Sequence, residues 1–146
     1  MAVKIYACCK GKNIGIEEVN DPVFSKKIIG EGTAIIPEDS FVCAPIDGVV
    51  ESIFPTKHAF VITDDDVKVM VHIGLETVKL KGLPFKQLVK EGQSVQHGQP
   101  IIKSNFKLIR KLKCDDTVMC VVLERKVAEK NHDNENVTIN DIVCLV

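Results

Sequence analysis

The sequence predicts an all-β fold, and three observations carry that expectation. Short apolar runs rich in Val and Ile are punctuated by Gly and Pro, while long stretches with helical periodicity are scarce. In residues 56–74, T-K-H-A-F-V-I-T-D-D-D-V-K-V-M-V-H-I-G, apolar and polar positions alternate in the manner of half-buried strands. Two strands are expected there, His58–Thr63 and Val67–Ile73, joined in a hairpin at Asp64, Asp65 and Asp66. With an odd-numbered loop centred on Asp65, Thr63 faces Val67 and His58 faces His72. Directly opposed residues hold their Cβ atoms roughly 4.5–5.5 Å apart, so two imidazoles would meet on one face. That face would also carry Phe60, Ile62 and Met70. The other, with Ala59, Val61, Val67, Val69, Val71 and Ile73, would be core.

The 146 residues suffice for one hydrophobic core, so a single domain over 1–146 is expected. A net charge of −1, with both signs mixed along the chain, gives no electrostatic footprint for nucleic acid or anionic lipid. M-A-V-K-I-Y-A-C-C-K lacks an apolar export core, and no run approaches a membrane span. A cytoplasmic location is the expectation. Six cysteines without C-x-x-C spacing read as small buried hydrophobes in a reducing compartment rather than as a zinc or redox motif.

In chain order, residues 3–9 read as a first strand and G-K-N-I-G (11–15) as a turn. Asp21-Pro22 initiates a turn, and Gly30 and Gly32 would supply positive φ or a bulge. Phe24, Ile28 and Ile29 share one side of a short helical turn. Composition alone favours packing on the sheet over an exposed docking patch for these three. A-P-I-D-G-V-V places a tight turn at Asp47-Gly48 between two strands, with Pro45 at a strand start or edge. Phe85–Lys90 reads as one or two helical turns ending at Gly92. Residues 91–102 form a turn-strand-turn-strand unit with a solvated His97. Phe106, Ile109 and Leu112 have helical spacing among basic residues, which suggests a core-packed helix. Thr117–Leu123 is an apolar strand, Lys126–Asn136 a polar loop holding an exposed His132, and the chain closes on a turn at Asn140-Asp141 and a last strand.

Two close histidines serve four chemistries. Zinc binding lacks a specified third ligand, with neither H-E-x-x-H nor H-x-H present. General acid/base hydrolysis lacks a nucleophile and an orienting carboxylate. Phosphohistidine chemistry needs few other groups: one ring nitrogen attacks phosphorus, and the second imidazole donates to the phosphoryl oxygens. A structural pair is the fourth reading, and the residues alone leave these open.

The blocks V-F-S-K-K-I-I-G-E-G-T-A-I-I-P, A-P-I-D-G-V-V, I-F-P-T-K-H-A-F, V-M-V-H-I-G-L-E-T-V-K-L-K-G and V-K-E-G-Q-S-V-Q-H-G resemble the enzyme IIA domain of the glucose family. That family belongs to the bacterial phosphoenolpyruvate-dependent sugar phosphotransferase system. The resemblance runs in unbroken order from about Val3 to the C-terminus. It implies an antiparallel β-sandwich with barrel-like character and short helical turns. It further implies a monomeric relay protein that takes a phosphoryl group from the phosphocarrier HPr and passes it to a cysteine on the IIB domain of a sugar permease. On that resemblance His72 is the phosphoacceptor through Nε2, and His58 hydrogen-bonds the phosphoryl oxygens. Thr56 belongs to the same network, and the Gly74 carbonyl holds the other nitrogen of His72. Val23, Phe24, Ile28, Ile29, Phe54, Met70 and Val78 match the apolar collar that docks both partners, so the segment around Phe24 is then read as interface. No cofactor is required, although His58 and His72 match residues that share a zinc ion in some complexes. Glu76 stands where an Asp is usual, and the customary Asp near Lys103–Phe106 is absent. A lysostaphin-type zinc peptidase shares the A-P-x-D-G-x-V segment but needs an H-x-H pair, and a lipoyl or biotinyl carrier needs a displayed lysine motif. The chain has neither.

Overall fold

The computed structural model describes residues 3–146. Its strands are β1 (Lys4–Tyr6), β2 (Gly11–Gly15), β3 (Gly30–Pro37), β4 (Phe41–Cys43), β5 (Gly48–Ile53), β6 (Ala59–Thr63) and β7 (Lys68–Ile73). After them come β8 (Phe85–Gln87), β9 (Ser94–Val95), β10 (Pro100–Ser104), β11 (Val118–Leu123), β12 (Glu129–Lys130), β13 (Asn136–Val137) and β14 (Ile142–Leu145). Helices are short: α1 (Pro22–Ser25), α2 (Phe106–Lys111) and single 3-10 turns at Ile16–Glu18 and Thr77–Leu80. An eight-stranded sheet in the order β13-β2-β3-β11-β7-β6-β5-β9 packs with two three-stranded sheets, β1-β14-β12 and β4-β10-β8. Every pairing is antiparallel. The predicted antiparallel sandwich is thus the observed architecture.

The central hairpin forms, but one residue out of the expected register. Thr63 pairs with Lys68, Phe60 with Val71 and Ala59 with His72. Asp64 is the cause. Its Oδ1 accepts from the Asp66 and Val67 amides at 2.7 and 2.8 Å, and its own amide donates to the Val67 carbonyl at 3.0 Å. This side-chain-closed turn keeps Asp64–Val67 out of the ladder. Because side chains alternate with period two, the slip exchanges the faces of β6. Phe60 and Ile62 enter the main core with Val69, Val71, Ile73, Val118 and Cys120. Val61 instead joins Met70, Met119, Val121, Ala34, Ile16, Val19, Phe24 and Leu75 in a second cluster on the opposite side of the sheet. The site is built over that second cluster.

Several local expectations are corrected by tertiary pairing. Residues 11–15 form strand β2, hydrogen-bonded between β3 and β13, instead of a turn. Phe85–Gln87 is strand β8 beside β10 rather than a helix, and Gly92, at φ 85°, is a turn residue whose amide donates to Val50. The expected 126–136 loop contains the short strand β12 and ends as β13 begins at Asn136. Gly30 and Gly32 adopt neither positive φ nor a bulge. They lie in β3, paired with β11, where a Cβ would collide with the Val122 and Cys120 carbonyls. His97 is packed, its ring stacked on Tyr6 at 3.8 Å and its Nδ1 2.8 Å from Asp47. Asp21-Pro22, read as a turn initiator, instead starts helix α1, with the Asp21 carboxylate accepting from Val23 N at 2.9 Å. Helix α2 is capped by Asn105 and buries Phe106 and Ile109. All six cysteines are buried free thiols, and burial pushes those of Cys43 and Cys144 up to about 12. Thiols raised in this way, as at Cys43 and Cys144, are packing groups rather than nucleophiles.

Candidate active site

The two histidines meet by a route that strand alternation does not supply. His72 projects from β7 within regular pairing. His58 sits just before β6, in the turn that follows β5. The Lys57 amide donates to the Phe54 carbonyl at 2.7 Å, closing a tight turn with Pro55 at its second position, and Lys57 is left-handed at φ 60°. Released from the ladder at its side chain, His58 still accepts the Ile73 amide on its carbonyl at 2.6 Å. Its ring lies 4.9 Å from that of His72, nearly perpendicular at 79°. The expected imidazole pair is present, on a backbone path that differs from the expected one.

Each imidazole has one nitrogen already engaged. His72 Nδ1 lies 2.8 Å from the Gly74 carbonyl. A carbonyl oxygen only accepts, so Nδ1 carries the proton and the neutral ring presents its lone pair at Nε2. His58 Nδ1 lies 2.5 Å from Thr56 Oγ1. With the threonine hydroxyl donating, His58 holds its proton on Nε2 as a donor.

Gly74 is held by its surroundings. It is left-handed at φ 75°, its amide donates to Thr117 O at 2.8 Å, and the next amide, Leu75, donates to Asp115 O at 3.0 Å. A Cβ at Gly74 would lie 2.5 Å from Thr77 Cγ2 and 2.8 Å from Asp115 O. Buried Thr77 donates its hydroxyl to the Ile73 carbonyl at 2.5 Å and braces the same bend. Sequence reasoning does not place Thr77, Asp115 or Thr117 in the site. The signal for Thr77 is its place within H-I-G-L-E-T-V, four residues beyond Ile73. Asp115 and Thr117 meet Gly74 and Leu75 through backbone carbonyls, and their one local signal is the Asp-x-Thr turn in which Asp115 Oδ1 accepts the Thr117 amide at 2.9 Å.

Phenylalanine rings flank both imidazoles: Phe24 lies 5.2 Å from His72, and Phe54 meets His58 edge-on at 5.4 Å. Desolvation, followed by the charge of His58, pushes His72 down to about 4, against opposing effects of the Gly74 carbonyl and Asp21. Desolvation also holds His58 below its ordinary value. Both rings are neutral near pH 7.

The apolar collar divides into two levels. Val23, Ile28, Phe54 and Val78 are exposed and Ile29 is half-buried, whereas Phe24 and Met70 are only 5% and 8% exposed and form the floor. Glu76 is left-handed and pairs with Lys79 at 3.5 Å. Among the described residues no group of three His, Cys, Asp or Glu side chains is placed to hold a metal ion.

A family model for the phosphoenolpyruvate-dependent sugar phosphotransferase system, EIIA 1, matches residues 3–127. The chain is 45% identical over 120 residues to a PTS system glucose-specific EIICBA component of Staphylococcus carnosus (strain TM300), an alignment covering 82% of this chain and 18% of that protein. It is also 45% identical over 108 residues to a PTS system glucose-specific EIIA component of Buchnera aphidicola subsp. Acyrthosiphon pisum, covering 73% of this chain and 67% of that one. The chain thus spans under a fifth of the former relative's length and about two thirds of the latter's. Among solved structures, glucose permease IIA from Mycoplasma capricolum superposes with a TM-score of 0.88 at 30% identity, covering 99% of this chain and 96% of that one.

Proposed function

The chain belongs to the EIIA 1 family of the phosphoenolpyruvate-dependent sugar phosphotransferase system, and from that premise we propose that it relays a phosphoryl group through His72 during sugar uptake. The donor is phosphorylated HPr and the acceptor is the cysteine of a IIB domain of a glucose-type permease. The observation that carries this reading is the Nδ1 bond of His72 to the Gly74 carbonyl, which leaves the Nε2 lone pair of a neutral ring free within an apolar collar.

Charge and atoms balance at each step. The Nε2 lone pair of His72 attacks phosphorus, the bond to the donor imidazole breaks, and the donor nitrogen leaves with its electron pair. The phosphorylated ring keeps its Nδ1 proton and gains positive charge, which the Gly74 carbonyl dipole stabilises. His58 donates from Nε2 to a phosphoryl oxygen, with Thr56 fixing its tautomer. In the second step a cysteine thiolate attacks phosphorus, the Nε2–P bond breaks, and His72 departs as the neutral imidazole it was. Phosphoryl transfer rests largely on positioning and charge stabilisation, so no further catalytic group is needed. Val23, Ile28, Ile29, Phe54 and Val78 provide a docking rim for both partners above the floor of Phe24 and Met70. The relay runs in a monomer, in the cytoplasm and without a cofactor. His58 and His72 fit zinc as two imidazole ligands only, so a bound ion would take its remaining ligands from a partner or water.

Intact mass measured after incubation with enzyme I, HPr and phosphoenolpyruvate tests the proposal. One added phosphoryl group, lost in acid, kept in base and absent from His72→Ala, is the expected result. No mass gain with a competent donor would sink it.

A further inference from the structure

A cleft of about 500 Å³ opens at strands β8 and β10 and helix α2, and the relay chemistry makes no use of it. Leu83, Phe85 and Phe106 give it apolar surface, and Leu83 stands 69% exposed. Lys86, Lys103, Lys107 and Arg110 supply four cations against the two carboxylates of Glu38 and Asp39. Arg110 is tied to Asp116 at 2.6 Å, whereas the three lysines make no ion pair among the described residues. Lys103 is held over the Phe41 ring at 5.7 Å. Ser104 also lines the cleft, and its hydroxyl is a buried polar atom without a hydrogen-bond partner among the described residues. A buried hydroxyl left unpaired is costly, and a ligand oxygen within reach of one rotation of its side chain would relieve that cost.

We propose that this cleft is a second binding site, for a soluble organic phosphate monoester whose apolar body lies on Leu83, Phe85 and Phe106 while its anionic head is met by Lys86, Lys103 and Lys107. The size suits a small ligand, and the mixture of an apolar floor with a few convergent polar groups is the usual composition of such sites. Charge selects the head. The chain is close to neutral overall, yet residues 103–113 carry Lys103, Lys107, Arg110, Lys111 and Lys113 with no acidic residue. A phosphate monoester, carrying nearly two negative charges near neutrality, gains more from three lysines than a monoanion does. The site does not depend on the relay: its lysines lie outside the histidine pair and its collar.

Phenyl phosphate is the probe, titrated at low salt into the isotopically labelled full chain while backbone amide signals are followed. Saturable shifts confined to residues around Lys86, Lys103, Asn105 and Lys107 are expected, with phenol giving none and inorganic phosphate binding more weakly. Lys103→Gln combined with Lys107→Gln should weaken binding about tenfold, and the amide spectrum of that variant reports whether it folds. A Lys12→Gln variant on β2 should bind as the parent does. Shifts scattered over surface lysines, shifts centred on His58 and His72, or equal affinity in the double variant would overturn the proposal. So would absence of saturation, including the case where the chain instead sediments with phosphatidylglycerol vesicles.

Discussion

Lowering the pH separates the desolvated imidazole of His72 from an ordinary surface histidine. His72 is pushed from 6.5 to about 4, first by desolvation and then by the charge of His58. At about pH 5 an imidazole titrating near 4 is about 90% neutral, while one titrating near 6.5 is only about 3% neutral. The neutral form of His72 therefore persists through a range in which a surface histidine has lost its lone pair. The same shift fixes the sign of a stability effect. The folded value lies below the unfolded one, so between about 6.5 and 4 the unfolded chain binds more protons and the native state loses stability as pH falls. Above that window the group contributes nothing, and below it the penalty is complete. A shift of about 2.5 units corresponds to a ceiling of roughly 3 kcal/mol, and partial exposure of the ring reduces it to about 1–2 kcal/mol. The assay is a proton titration of the His72 ring resonances, paired with urea unfolding of wild type and His72→Asn across the same range. His72→Asn should flatten the pH dependence of stability by that amount, and His58→Gln should move the His72 midpoint modestly upward. A His72 midpoint near 6.5, or identical pH dependence in wild type and His72→Asn, would refute the reasoning.

Gly74→Ala meets both left-handed strain and the Thr77 and Asp115 contacts, so a loss of at least about 1–2 kcal/mol in urea unfolding is expected, with slower phosphoryl acceptance as the carbonyl leaves His72. His58→Gln should still be phosphorylated by phospho-HPr but transfer onward to a IIB domain much more slowly in single-turnover mixing; normal transfer would mean that His58 does not hold the phosphoryl oxygens. Thr56→Val removes the partner of His58 Nδ1 and should slow the same step by about tenfold or less while leaving global stability within about 1 kcal/mol. Phe60→Ala reports on register: with Phe60 fully buried in the main core the cost is about 3–5 kcal/mol, whereas a side chain on the histidine face would cost far less.

The short helical turn near Phe24 and the histidine pair show where reading a sequence succeeds. Asp21-Pro22 carries a cap and a helix start in its residue types, although it reads first as a plain turn. His58 and His72 were legible because two alternating runs flank an Asp-rich turn and the blocks around them are specific. The register was not. A centred loop on Asp65 and the observed loop closed by Asp64 differ by one residue. Two side-chain hydrogen bonds and the burial of Phe60 and Ile62 between sheets decide between them. Residues 11–15 and 85–87 were missed for a related reason. Their own patterns are weak, and they are strands because β3 and β10 offer unpaired backbone edges to them.

By itself, then, the sequence determined the β class, the family resemblance and the identity of the two imidazoles, since these depend on residue type and short-range spacing. Tertiary structure alone decided which face of β6 is core, how His58 leaves the ladder to reach His72, and that Phe24 and Met70 form the floor beneath Val23, Ile28 and Val78. It also decided the charge state of the site. The depressed value of His72 comes from water excluded by Phe24 and its neighbours, and from a second imidazole 4.9 Å away. Those are distances between segments far apart in the chain, and only the packed sheet brings them together.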